Sequence, residues 1–266
     1  FEYEEPTTSL LWPGDKETAC RLTGAGKRTW SRMGRERDED SLTWNVFRYL
    51  ERNGLLGKFL GDLLERNKLD SRVWGSPEKV VFWSVDLERM ATWDGLQKAR
   101  SQLGEGTKGS EPDIVVVFPT AVVLIELKFD STSVTPAPSL LPSYYRDERG
   151  VFKKDLQSTA DVNSIGYELM RFFLLGEVLR EQLGKPLVVI VSLTQDSLDA
   201  DLVRRVHEAV HLNAARRYAR LTWGGVYKFI EQTGINDPIE RTIMLRYLRG
   251  KTLGYDGNGT LRTLLP

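Results

Sequence analysis

Glu111-Pro112-Asp113-Ile114-Val115-Val116-Val117-Phe118-Pro119-Thr120-Ala121-Val122-Val123-Leu124-Ile125-Glu126-Leu127-Lys128 is the stretch whose reading decides the fold. Two apolar runs flank Phe118-Pro119-Thr120-Ala121, which predicts two antiparallel strands joined by a tight turn. With the turn centred on Pro119-Thr120, Phe118 faces Ala121, and counting outward sets Asp113 opposite Glu126; a three-residue turn would shift this register. Side chains alternate along a strand, so Lys128 shares the face of Glu126 while Leu127 points the other way. Two carboxylates and an ammonium then meet at one end of an otherwise apolar hairpin. Facing like charges repel, and a half-buried pair costs more unless something positive lies between them. A hard divalent cation would satisfy both carboxylates, with the backbone carbonyl of Leu127 as a further oxygen ligand. The plainer alternative is a central hairpin whose end charges are solvated or ion-paired.

Outward from this stretch, the bulk numbers set bounds. At 266 residues and 41% hydrophobic, the chain is long and apolar enough to bury a full core. Lys plus Arg equals Asp plus Glu at 37 each, which argues against wholesale electrostatic coating of nucleic acid but leaves local basic surface open. The single cysteine, Cys20, excludes an internal disulfide framework and suits a reducing compartment, so a cytoplasmic location is expected. No apolar run approaches a membrane span, and no signal-peptide pattern stands at the start. The chain begins at Phe1, so a leader already removed stays compatible with this reading.

Residues 1–38 read as an irregular, locally basic segment punctuated by Pro6, Pro13 and Gly24-Ala25-Gly26. Gly24 to Thr29 fails as a phosphate-binding loop, because Arg21 stands where the first Gly belongs and Arg28 where Ser or Thr should follow the Lys. Lys27, Arg28 and Arg32 could form a phosphate-contacting arm or an ordinary solvated charge run. A helix is expected from Glu39 or Asp40 to Arg52, with Leu42, Val46 and Leu50 as its buried stripe. Glu39 falls on that stripe. It is either an acid favoured at a helix N-terminus by the dipole or one with a role at a site. A short helix over 56–67 and a strand over 78–85 follow, then a polar connection over 86–110 and the central hairpin. Pro136, Pro138 and Pro142 make 131–147 a long loop, long enough to border a site. Beyond it the pattern predicts a helix over 161–183, a buried strand over 187–193, a helix over 199–218 and a short strand over 219–223. Two C-terminal helices, around 226–233 and 239–248, complete the chain.

Pro112-Asp113, then Glu126-Leu127-Lys128 after a short hairpin, resemble the PD-(D/E)XK motif of the restriction-endonuclease-like nuclease superfamily. The element order of helix, strand, hairpin, helix, strand and helix is similar to that superfamily's αβββαβ core. The resemblance implies an α/β fold with a mixed central sheet flanked by helices, the core over 39–223 and a helical extension over 224–266 packed on it. It also implies a nuclease hydrolysing phosphodiester bonds, DNA first among its substrates, with Mg²⁺ or alternatively Mn²⁺ as cofactor. Asp113, Glu126, the Leu127 carbonyl and Glu39 would hold the metal, and Lys128 would orient the attacking water or stabilise the transition state. Tyr167, Glu168 and Arg171 lie on the helix after the third strand, where relatives often add a polar side chain, although the strict Gln-x-x-x-Tyr pattern is absent. Arg216, Arg217 and Arg220 are candidate phosphate contacts, with ordinary surface charge the default reading. The implied partner is nucleic acid, with no membrane, and a homodimer is compatible with it. A noncatalytic nucleic-acid-binding member of the same fold is an alternative, against which the complete Asp, Glu, Lys set argues.

A rival motif is His207-Glu208-Ala209-Val210-His211, a literal H-E-x-x-H that resembles the zincin metallopeptidases. Histidines at i and i+4 of a helix can share a zinc, with the intervening Glu as general base. Arg205 stands where zincins carry an uncharged residue, and Ala214 and Arg217 occupy the places of the longer motif's Gly and His. A third ligand would have to be sought at Glu231 or Glu240, neither in a recognisable motif. Helix-surface histidines are the preferred reading.

Overall fold

The computed structural model describes residues 4, 6–12, 14–24, 39–66, 74–106, 109–129, 145, 149–153, 162, 165–197, 200–233 and 237–265. Lys27, Arg28 and Arg32, and the proline-rich loop apart from Tyr145, lie outside them. After a short 3-10 turn at Pro6–Ser9, the first elements are α1 (Asp15–Gly24), α2 (Glu39–Arg52) and α3 (Leu56–Arg66). Next come β1 (Lys79–Phe82), β2 (Val85–Asp86), β3 (Ala91–Thr92) and α4 (Asp94–Leu103), then β4 (Ile114–Phe118) and β5 (Ala121–Leu127). The remainder is α5 (Tyr167–Gln182), β6 (Leu187–Thr194), α6 (Leu202–Ala209), β7 (Arg216–Thr222), α7 (Trp223–Gln232), α8 (Pro238–Gly250) and the hairpin β8 (Thr252–Tyr255) and β9 (Leu261–Thr263).

Among the described residues, seven strands form one mixed sheet in the order β3-β2-β1-β4-β5-β6-β7, making this an α/β protein with a central sheet flanked by helices. β1, β4 and β5 pair antiparallel, whereas β5, β6 and β7 run parallel. Phe118 pairs with Ala121 and Ile114 with Ile125, the register expected from a two-residue turn. Every residue of β4, β5 and β6 is buried, since helices cover both faces and each strand can be apolar throughout. On one face, Ile114, Val116, Val123, Ile125, Val189 and Val191 pack with residues of α2, α3, α7 and α8. On the other, Val115, Val122, Leu124, Val188 and Ile190 meet α4, α5 and α6. No helix among the described residues is long and apolar enough to cross a membrane.

The chain departs from the sequence reading in several places, among them the C-terminal extension, expected to be helical, which ends in the hairpin of β8 and β9. Residues 15–24, expected to be irregular, form α1, whose Ala19 and Leu22 join the core with Leu10 and Trp12. This layer is held by polar contacts that leave no periodic signal. Trp44 Nε1 donates to Asp15 Oδ2 (3.1 Å), and buried Asn45 accepts from the Leu11 N–H (3.0 Å) and donates to the Ser9 carbonyl (2.8 Å). The expected strand over 78–85 reverses at Trp83-Ser84, two left-handed residues (φ 45° and 71°) that seat Phe82 opposite Val85. The connection over 86–110 contains β2, β3 and α4.

The expected helix over 199–218 ends at Ala209. Val210 is extended (φ −110°, ψ 138°) and bridges to Phe152; Asn213 Oδ1 then accepts from Ala215 and Arg216, turning the chain into β7. No Gly or Pro marks this break, because parallel pairing of β7 with β6 overrides local helix propensity.

Candidate functional site

β5 ends at Leu127, and the backbone groups there are satisfied by four side chains from other parts of the chain as well as by the neighbouring strand. Leu127 N–H donates to Asp113 Oδ2 (2.8 Å) at the head of β4, and Lys128 N–H to the Leu193 carbonyl of β6 (2.8 Å). Phe129 N–H donates to Glu39 Oε2 (2.7 Å) at the start of α2. The Lys128 carbonyl accepts from Trp223 Nε1 of α7 (3.1 Å), and the Phe129 carbonyl accepts from Gln195 Nε2. Three residues of backbone are therefore fixed by the sheet and by the helical layer of α2 and α7, and the acids doing part of that fixing are the ones the sequence singled out.

Around this anchored backbone, Asp113, Glu126, Lys128 and Glu39 come together as expected. Lys128 Nζ lies 2.6 Å from Glu126 Oε1, 3.3 Å from Glu168 Oε2 and 3.9 Å from Glu39 Oε1. Glu168 stands in the first turn of α5, so both helical layers contribute an acid to one lysine. Asp113 Oδ1 accepts from Trp83 Nε1 (3.2 Å). Glu126 is buried and its Oε2 has no hydrogen-bond partner among the described residues. Beside it on β6, in register and on the same face, Ser192 Oγ is likewise buried without one.

The electrostatics follow from this crowding. Burial, then the charge of Asp113, pushes Glu126 well above the ordinary carboxylate range, against the pull of Lys128. Burial likewise pushes Glu39 up to about 7, with Lys128 opposing and Asp113 adding to the rise. For Lys128 burial acts downward, but Glu126, Glu39 and Glu168 outweigh it and hold the ammonium charged. Carboxyls that resist ionisation next to one cation mark a site short of positive charge.

Among the described residues, no three His, Cys, Asp or Glu side chains are gathered tightly enough to hold a metal ion as they stand, and Lys128 sits among the acids. The donor chemistry nevertheless fits a hard divalent ion. It is oxygen-only, in carboxylate excess, and includes the buried unpartnered Glu126 Oε2.

The other candidates divide. Arg216 is buried and its guanidinium pairs with Glu177 Oε2 of α5 (2.8 Å), so it serves the interior and is unavailable to a phosphate. Arg220 faces the site's end of the sheet, donating to the Gln195 carbonyl (2.7 Å), while Arg217 alternates to the opposite face. Arg171 donates to Ser110 Oγ (3.0 Å) and lies over the rings of Tyr167 (5.3 Å) and Tyr145 (5.9 Å), bracing the segment that leads to Asp113. His207 closes α6 but His211 lies beyond its end, so the two imidazoles are not stacked one turn apart on a helix; Glu208 is paired with Arg204 (2.8 Å). The premise of the H-E-x-x-H reading is absent.

Sequence reasoning missed Trp83, Ser192, Gln195 and Trp223. None of them has a motif around it, and only the folded chain aims it at the strand end. Comparison with protein-family models, curated proteins and solved structures gives no significant match, so the functional reading rests on this geometry.

Proposed function

We propose that the chain is a divalent-metal-dependent nuclease of the restriction-endonuclease-like kind, cleaving phosphodiester bonds with DNA as its foremost substrate. The observation that carries the reading is the convergence of Asp113, Glu126, Glu39 and Lys128 on one strand end, with Glu126 Oε2 buried and unpartnered. Asp113, Glu126, Glu39 and the Leu127 carbonyl would hold Mg²⁺, or Mn²⁺ in its place. When bound, the ion supplies a water of lowered pKa and neutralises charge on the scissile phosphate. Lys128 has a flexible stem and a point charge, which suits it to leave Glu126 for a phosphate oxygen or the attacking water and to stabilise charge gained in the transition state. Glu168 then offers the lysine a second anchor at 3.3 Å, keeping its ammonium over the reaction centre. Arg220 and the exposed edge of the 195–197 turn would border the nucleic acid.

The test is incubation with plasmid, linear duplex, single-stranded DNA and RNA in Mg²⁺, Mn²⁺ or EDTA. The parent should cleave at least one substrate with added metal and none in EDTA. Glu126→Gln and Asp113→Asn should each abolish cleavage. Glu126→Gln should leave the metal-free fold intact or slightly more stable through relief of the like-charge crowding, whereas Asp113→Asn turns an amide NH2 towards the Trp83 or Leu127 N–H and should cost some stability. Full metal-dependent activity in either variant would sink the site assignment. Binding of nucleic acid without cleavage in any metal would return the noncatalytic alternative.

A further inference from the structure

We propose that the strained Trp83-Ser84 turn is a clamp that positions Asp113, with Trp83 as its working side chain; this rests on the reading of the site as a divalent-metal centre. Trp83 and Ser84 both have positive φ, a pairing that two-residue hairpin turns ordinarily fill with Asn-Gly or Gly-Gly. L side chains persist in that region only where their surroundings over-determine them, and such positions cluster at functional sites.

Here the determinants all point to one segment. Trp83 N–H donates to the Asp113 carbonyl (2.9 Å) and its indole Nε1 to Asp113 Oδ1 (3.2 Å), so a single residue grips both ends of the aspartate. The other carboxylate oxygen accepts from Leu127 N–H, and a carboxylate engaged at both oxygens has its plane fixed. Ser84 Oγ donates to Glu111 Oε1 (3.0 Å) and accepts from Arg100 Nη2 (2.8 Å), while Arg100 Nε donates to the Ser110 carbonyl (2.7 Å). Residues 110, 111 and 113 are thus tied to one turn and its buried arginine. The Trp83 ring is itself immobilised, buried and stacked on Trp44 with centroids 6.0 Å apart and planes within 8°. An asparagine-glycine turn would relax the backbone but supply no indole N–H to the carboxylate.

Side chains that orient a metal-binding group typically change affinity or activity about 10–100-fold when removed. Trp83→Phe keeps a buried ring and deletes the N–H. Trp44→Phe deletes an equivalent indole N–H in the same stack, one that donates to Asp15 (3.1 Å), and serves as the control. We expect calorimetric Mn²⁺ affinity and kcat each to fall about tenfold or more in Trp83→Phe and to stay within about twofold of the parent in Trp44→Phe. A parent that binds and cleaves, with Trp83→Phe unchanged or Trp44→Phe equally impaired, overturns this inference alone. A parent that neither binds the ion nor cleaves overturns the metal-centre reading as well. If Trp83→Phe fails to fold, the intact chain still decides. Adding Mg²⁺, or substituting Asp113→Asn, should move the Trp83 indole N–H resonance further than that of Trp44, and an unmoved Trp83 resonance overturns the clamp.

Discussion

Lys128 is the residue on which the chemistry of the site converges, because Glu126, Glu168 and Glu39 all address its ammonium. Lys128→Met keeps stem length and apolar volume and removes only the charge. Cleavage should fall by roughly two to four powers of ten, with metal binding by calorimetry similar or slightly tighter, since the lost group acts on the water or the transition state. Breaking a buried ion pair costs about 3–5 kcal/mol when the remaining partner stays charged. Glu126, already pushed towards its protonated form, can neutralise, so denaturant titration in EDTA should show a smaller loss. Cleavage at the parental rate would make Lys128 a structural lysine. Glu39 gives a separate prediction. Its folded pKa of about 7 stands above the ordinary 4.5, so the unfolded carboxyl releases its proton first as pH rises. Between those values unfolding releases a proton, so the contribution of Glu39 to stability falls with rising pH across that window and is level above it. Melts in EDTA should therefore show a lower Tm at the top of the window than at the bottom, with a smaller slope in Glu39→Gln; a flat profile in the parent would count against the burial of this acid.

At the scale of elements, α5 decides how deep Glu168 and Arg171 reach. It is buried along most of its circumference, from Leu169 to Leu179, between the sheet and α4. Gly176 makes the close approach possible: a Cβ there would meet Val188 Cγ2 at 2.9 Å and Ile190 Cδ1 at 3.0 Å on β6. Gly176→Ala should destabilise by about 1–3 kcal/mol through overpacking. That loss would exceed the roughly 1 kcal/mol that Ala ordinarily gains over Gly within a helix. It should also reduce cleavage by tilting Glu168 away from Lys128. Urea titration settles the first point, and an alanine variant more stable than the parent would show that the strand methyls yield without strain. Facing the same helix, Arg216 of β7 and Glu177 form a buried pair, and the guanidiniums of Arg180 and Arg216 hold the Glu177 carboxyl below its usual range although burial opposes them. The arginine that looked like surface charge in sequence is a tie between α5 and the last strand of the sheet.

The whole molecule joins its C-terminal elements to the central sheet in one apolar cluster. Trp223, Phe229, Met244, Leu248, Leu253 and Leu264 belong to the same core as Phe118, Val123 and Val191. Trp223 adds a direct link to the site through the Lys128 carbonyl. A chain ending at Thr222 should accordingly fail to fold, with lost near-ultraviolet circular dichroism and low solubility, rather than yield an active core. A soluble, folded and cleaving 1–222 fragment would show that the C-terminal elements are an accessory layer. The even balance of 37 basic and 37 acidic residues leaves no global field for nucleic acid, so any attraction must come from local groups near the strand end.

The hairpin, its register and the meeting of Asp113, Glu126 and Lys128 were legible in the sequence. Strand period and turn length set which side chains share a face, and both are local properties. The helices at 39–52 and 56–66 were legible for the same reason to within a residue at their ends, whereas α5, within the helix expected over 161–183, begins only at Tyr167, after Gly166 in a positive-φ conformation. Other features were decided only by tertiary structure. The break after Ala209 depends on a strand partner distant in sequence, α1 on polar contacts to α2, and the turn at Trp83-Ser84 on packing that sustains left-handed tryptophan and serine. Glu39 could be placed on a helix stripe from sequence, but that it caps the Phe129 N–H follows from two layers meeting at one sheet end. Local periodicity thus determined which acids face each other, while long-range packing determined what braces them: a backbone group left by an ending strand must find a partner, and no neighbour in sequence supplies it.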